Sequence, residues 1–149
     1  MRSRCSSISE TCVLATLLLP FCLAWADVSE EADLREEIVL RCHYDMGEFG
    51  VEGVQLCIEA DNAALRSLSA YSDPAKTIVS RCTRQMQARG WAAVKLCVDQ
   101  DLAAENALAQ YPEEHRAVIE LCEAEIGKQG PAKVKACADR QISAKAGKP

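Results

Sequence analysis

The stretch RCHYDMGEFGVEGVQLC, residues 41–57, decides the fold because it returns twice, as RCTRQMQARGWAAVKLC at 81–97 and LCEAEIGKQGPAKVKAC at 121–137. Cys42, Cys82 and Cys122 stand 40 residues apart, as do Cys57, Cys97 and Cys137, and 15 positions separate each pair. Gly50, Gly90 and Gly130 keep this register, together with Val54, Val94, Val134 and with Ala64, Ala104, Ala144. Tyr71 and Tyr111 match in the first two copies. A period in this range marks stacked supersecondary units. The copies span about 31–71, 72–111 and 112–149.

Upstream of each glycine, apolar residues fall every fourth position: Ile38, Cys42, Met46; Ile78, Cys82, Met86; Val118, Cys122, Ile126. That is one face of a helix and not the alternation of a strand. Downstream, Val54, Cys57, Ile58 and Leu65 repeat the stripe, as do Val94, Cys97, Val98 and Leu108. The segments are rich in Ala, Leu, Glu, Gln, Lys and Arg, which favour helix. The glycine is read as a left-handed helix stop and turn, with Pro131 after Gly130 suiting a new first turn. Pro74 and Pro112 break and restart the chain between copies. Six helices are expected, near 31–47, 51–70, 74–88, 91–109, 113–128 and 131–145. The fold class is all-α: three stacked antiparallel helical hairpins forming a short solenoid or six-helix array.

Cys42 lies eight residues before Gly50, and Cys57 seven after it. In an antiparallel hairpin both stand roughly 11–12 Å from the turn and face each other. Such a seam can meet the short Cα separation a disulfide needs. Of the fifteen pairings six cysteines allow, the strict repeat selects Cys42–Cys57, Cys82–Cys97 and Cys122–Cys137. Each closes a short loop, worth about 3 kcal/mol in the chain-entropy model.

The chain has 149 residues, only 5% aromatic, and a formal charge of −5. That balance offers no general attraction to nucleic acid. Residues 1–26 read as a signal peptide: Arg2 and Arg4, an apolar run from Val13 to Ala24, and Ala24-Trp25-Ala26 at the cleavage point. An uncleaved anchor is the alternative, but the run is shorter than the roughly 20 residues a bilayer takes. Leu19-Pro20-Phe21-Cys22 lacks the small residue expected before a lipidated cysteine. Cleavage removes Cys5, Cys12 and Cys22 and leaves the six paired cysteines on residues 27–149, with 15 basic and 21 acidic side chains. An even cysteine count on a small exported chain marks a disulfide framework, placing the protein in the periplasm or outside the cell, with no transmembrane segment in the mature chain.

No catalytic, cofactor or metal residue is assigned. The cysteines lie mid-helix, whereas redox thiols favour C-x-x-C at a helix start. His43 and His115 have no counterparts in the other copies, and no zinc spacing occurs. Asp99 and Asp101 lack the rest of a calcium loop. The acidic row Glu59, Asp99, Asp139, with Asp61 and Asp101 two residues on, recurs once per copy, as a structural element does. Arg41 and Arg81 are expected to reach Glu59 and Asp99 in surface ion pairs. Lys128 to Pro149 carries six basic residues against one Asp, read as a solvated tail. In the third copy Leu121 and Ile126 depart from the Arg and Met columns, and the last helix reads as a cap.

At the level of R-C-x3-M-x3-G-x3-V-x2-C ending in A-x6-Y, the copies resemble small exported bacterial proteins with paired-cysteine helical hairpins. This covers nearly all of residues 27–149 and implies no activity. The architecture is similar to tetratricopeptide and Sel1-like repeats in shape only, because their characteristic Trp, Leu-Gly and Tyr positions are unmatched. Stacked hairpins expose an extended binding surface. The expected function is a protein or peptide interaction module, with Phe49, Tyr71, Trp91 and Tyr111 as candidate contacts. The alternatives are an envelope structural or stress protein without a discrete ligand, and a hydrolase using Glu59, Asp99 or Asp101.

Overall fold

A computed structural model describes the backbone of residues 20–146 and the side-chain surroundings of residues 32–145. The expected signal peptide lies mainly outside the described residues. The chain divides into two compact units, residues 1–37 and 38–149, and the hairpins belong to the second.

Among the described residues six α-helices follow in order: α1 (Pro20–Met46), α2 (Gly50–Ser69), α3 (Asp73–Met86), α4 (Trp91–Leu108), α5 (Arg116–Ile126) and α6 (Pro131–Ala146). No strand occurs among the described residues. The expected ends hold closely except that α1 begins eleven residues before position 31 and α5 starts at 116 after a 3-10 turn, Glu113–His115. Residues 28–37 are polar but contain no proline or glycine to stop a helix running in from the apolar segment before them.

Each hairpin turns by one design. The first helix tightens into a 3-10 turn, Gly47–Phe49, Gln87–Arg89 or Gly127–Gln129, and a glycine then opens the second helix. Gly90 has φ 99° and ψ 164°, and Gly130 has φ 109° and ψ 162°. This is not the left-handed helical region expected from the sequence. It is the extended positive-φ region, which is essentially confined to glycine. The Gly90 carbonyl accepts the N–H of Val94 at 3.2 Å, so the residue serves as the N-terminal edge of α4.

The pairs Cys42–Cys57, Cys82–Cys97 and Cys122–Cys137 are all disulfide-bonded, with Cα separations of 5.7, 5.8 and 6.0 Å. Helices α2, α4 and α6 stand in a row, with α3 against α4 and α5 against α6. Each hairpin carries a small core: Ile38, Cys42 and Val54 in the first; Ile78, Cys82, Val94 and Val98, joined by Leu68, in the second; Val118, Cys122, Val134, Cys137 and Ala138 in the third. Cores this small explain the cysteine columns. The first cysteine of every pair is fully buried and acts both as apolar filling and as a crosslink.

Candidate functional site

The row of hairpins is joined by two seams, and both use the same side chains. At the first, Arg41 on α1 pairs with Asp61 on α2 at 2.5 Å. The second oxygen of Asp61 accepts the N–H of Ala92, in the first turn of α4, at 2.9 Å. At the second seam Arg81 pairs with Asp101, whose other oxygen accepts the N–H of Ala132 in α6 at 2.9 Å. Each aspartate thus caps a helix of the following hairpin, offering a negative charge to unsatisfied donors. Both are buried, at 2% and 3% exposure. A Cβ on Gly90 would lie 2.7 Å from the Arg41 guanidinium, and one on Gly130 would lie 2.8 Å from that of Arg81. The next hairpin's glycine therefore seats directly on the ion pair.

This corrects the expected pairing of Arg41 with Glu59 and Arg81 with Asp99, and its surface location. Asp61 and Asp101 stand one helical turn past Cys57 and Cys97, on the stripe that faces the first helix. Glu59 and Asp99, two residues past, are rotated about 200° away. The third hairpin has Leu121 and Gln141 in place of the pair. There the Gln141 amide lies over the disulfide, 3.4 Å from the Cys122 sulfur and 3.5 Å from that of Cys137. The joint disappearance of Arg and Asp from the third copy was a visible sign that they work together.

A second bond crosses each seam. The Tyr71 hydroxyl donates to Asp99 at 2.6 Å, and Tyr111 donates to Asp139. Lys95 and Lys135 complete these clusters at 2.6 and 2.7 Å. The lysine first, and the tyrosine second, hold each aspartate below the usual carboxylate range. The aspartate in turn raises each tyrosine, first through the hydrogen bond. A carboxylate held ionised in this way is poorly suited to act as a general acid near neutral pH. In the first hairpin the equivalent Glu59 accepts from Gln55 at 3.0 Å.

Of the four candidate contacts, Tyr71, Trp91 and Tyr111 are half-buried within seams. Trp91 packs against the cores of both the first and the second hairpin. Phe49 is exposed at the first turn, and it has company. Leu40, Tyr44, Val51 and Leu56 on the same hairpin are also exposed, so that these five residues span 63–90% exposure. The later hairpins carry Ser80 and Glu120 at the Leu40 column, Arg84 and Ala124 at Tyr44, and Arg89 and Gln129 at Phe49. The candidate contacts include Phe49 but not Leu40, Tyr44, Val51 or Leu56; the Leu40 and Tyr44 columns distinguish the first hairpin, whereas the Leu56 column also holds Leu96, 57% exposed, on the second.

A groove of about 540 Å3 lies on that hairpin between His43, Val51, Val54 and Ile58. Its columns correspond to Trp91, Val94 and Val98, part of the surface by which the second hairpin meets the first. A larger groove of about 700 Å3 lies where the second hairpin meets the third. His115 rests edge-on against Tyr111. Cys82, Cys97 and Asp101 lie within 4.8 Å of one another. The sulfurs are already joined and the carboxylate is engaged by Arg81 and Ala132, so this trio is not a free metal-ligand set. No helix among the described residues is long and apolar enough to cross a membrane. Compared with protein-family models, curated proteins and solved structures, the chain gives no match.

Proposed function

We propose that the chain, freed of residues 1–26, works in the periplasm or outside the cell as a disulfide-stabilised repeat module that binds a protein or peptide partner. Three disulfides suit an oxidising compartment beyond the cytoplasm. The observation carrying the binding assignment is the number of exposed large apolar side chains on the first hairpin, Leu40, Tyr44, Phe49, Val51 and Leu56. Exposed apolar side chains in this number on one hairpin favour contact with another macromolecule over solvent. Phe49 carries the proposal among the original four candidates, and the other three already serve the seams.

The test places a photo-crosslinking residue at Phe49 or Tyr44 in cells, with Gln129 as the matched control. A discrete adduct from the first hairpin alone is expected. The adduct from position 49 should disappear in Leu40→Ser/Tyr44→Arg, which installs residues the second hairpin already tolerates at those columns. No discrete adduct would favour a structural protein without a ligand. A fall in melting temperature in that variant would assign the surface to folding instead.

A further inference from the structure

The two seams are built alike but filled differently. At the first, Trp91 occupies the position after the turn glycine and packs against two cores, and Leu65 also packs against the first core. At the second, the same columns hold Pro131 and Glu105, and Gly127 stands where the second hairpin has Gln87. An indole has become a pyrrolidine ring, and the glutamine side chain of the turn has been removed. The groove of about 700 Å3 lies there, with Leu108, Ile119 and Val134 among its apolar lining.

The rim changes independently of the volume. Glu105, Glu120 and Glu123 line the groove, where the corresponding columns of the first seam carry Leu65, Ser80 and Thr83. The cation on this wall, Arg116, is bonded through its Nε to both oxygens of Glu113, each at 2.9 Å. The groove thus combines a partly apolar space of about 700 Å3, roomy enough for an aromatic side chain, with three carboxylates in its lining.

We propose that this groove is a binding site for a cationic peptide segment that inserts an aromatic side chain where the first seam places Trp91, its flanking basic residues meeting Glu105, Glu120 and Glu123. The second and third hairpins alone supply the lining, so the assignment stands apart from the proposal for the first hairpin.

The probe is acetyl-Lys-Trp-Lys-amide, titrated calorimetrically into the intact, disulfide-bonded protein. Saturable one-to-one binding is expected. Acetyl-Lys-Ala-Lys-amide should bind roughly thirtyfold more weakly, the loss typical of a buried aromatic anchor, and acetyl-Glu-Trp-Glu-amide should not bind. Pro131→Trp recreates the Gly-Trp of the first seam. It should abolish binding while holding or raising the melting temperature, so the loss cannot come from unfolding. Glu120→Gln/Glu123→Gln should weaken binding and flatten its dependence on salt. Absence of saturable binding, equal affinity for the alanine peptide, or undiminished binding by Pro131→Trp would each overturn the assignment.

Discussion

Replacing Asp101 by Ala removes one carboxylate and strands two partners. The Arg81 guanidinium, whose side chain is only 15% exposed, keeps its charge without its counterion. The N–H of Ala132 loses its acceptor at the start of α6. Removing one partner of a buried pair costs about 3–5 kcal/mol, and loss of a helix cap alone costs about 1 kcal/mol. The two share an atom group and do not add in full, so about 4 kcal/mol is expected, or roughly 15 °C in melting temperature for a domain of this size. The third hairpin supplies the decisive control. Arg81→Leu/Asp101→Gln installs the residues found at 121 and 141, removing both charges together, and should cost less than half as much. Urea unfolding followed by circular dichroism, with the slope held constant, measures both. A single-variant loss below about 1 kcal/mol, or a double variant no milder than the single, would refute the account of the seam.

The glycines separate backbone strain from docking. Gly50→Ala should cost about 1–3 kcal/mol for its positive φ alone, since a Cβ there meets open space. Gly90→Ala should cost more, because its Cβ also displaces Arg41, and denaturant titration of both reads the difference. Tyr71→Phe should lose about 0.5–1.5 kcal/mol at neutral pH. The bond to Asp99 raises the Tyr71 pKa, so its contribution is complete below the ordinary tyrosine value of about 10 and is lost as pH rises through the higher folded value; stability curves of both proteins should therefore converge in alkali. Asp99, lowered first by Lys95 and then by Tyr71, contributes above the ordinary carboxylate value and loses that contribution as pH falls through its lower folded value. Asp99→Asn should accordingly flatten the acid limb of the same curve. Cys122→Ser/Cys137→Ser should cost about 2–4 kcal/mol, with trypsin cutting faster in α5 and α6 than in α3 and α4.

The hairpins and their bonds were legible because they depend on short-range facts. A helix stripe, a turn glycine and two cysteines equally far from it fix one unit wherever it sits. The seams depend on how units approach one another, which no single copy states. Distance along the chain pairs Arg41 with Glu59, whereas position around α2 pairs it with Asp61, which shares the face of Cys57. The glycine conformation departs from the left-handed expectation for a related reason. Gly90 belongs to the start of α4, so its geometry answers to the helix it opens and to Arg41 beneath it. The exposed apolar group of the first hairpin was partly visible, since Leu40 and Tyr44 break columns that are otherwise polar or small. Helical periodicity alone could not say that their side of α1 faces solvent.

The order of the disulfides bears on how the chain acquires them. Cysteines one and two, three and four, and five and six of the hairpin set are joined, and none reaches into another hairpin. A chain that enters an oxidising compartment from its N-terminus presents these cysteines in the order in which they pair. An oxidase that joins each newly arrived thiol to the one before it would build the correct connectivity without later exchange. For any chain delivered in this way, oxidation and entry would proceed together, one hairpin being locked while the next is still arriving.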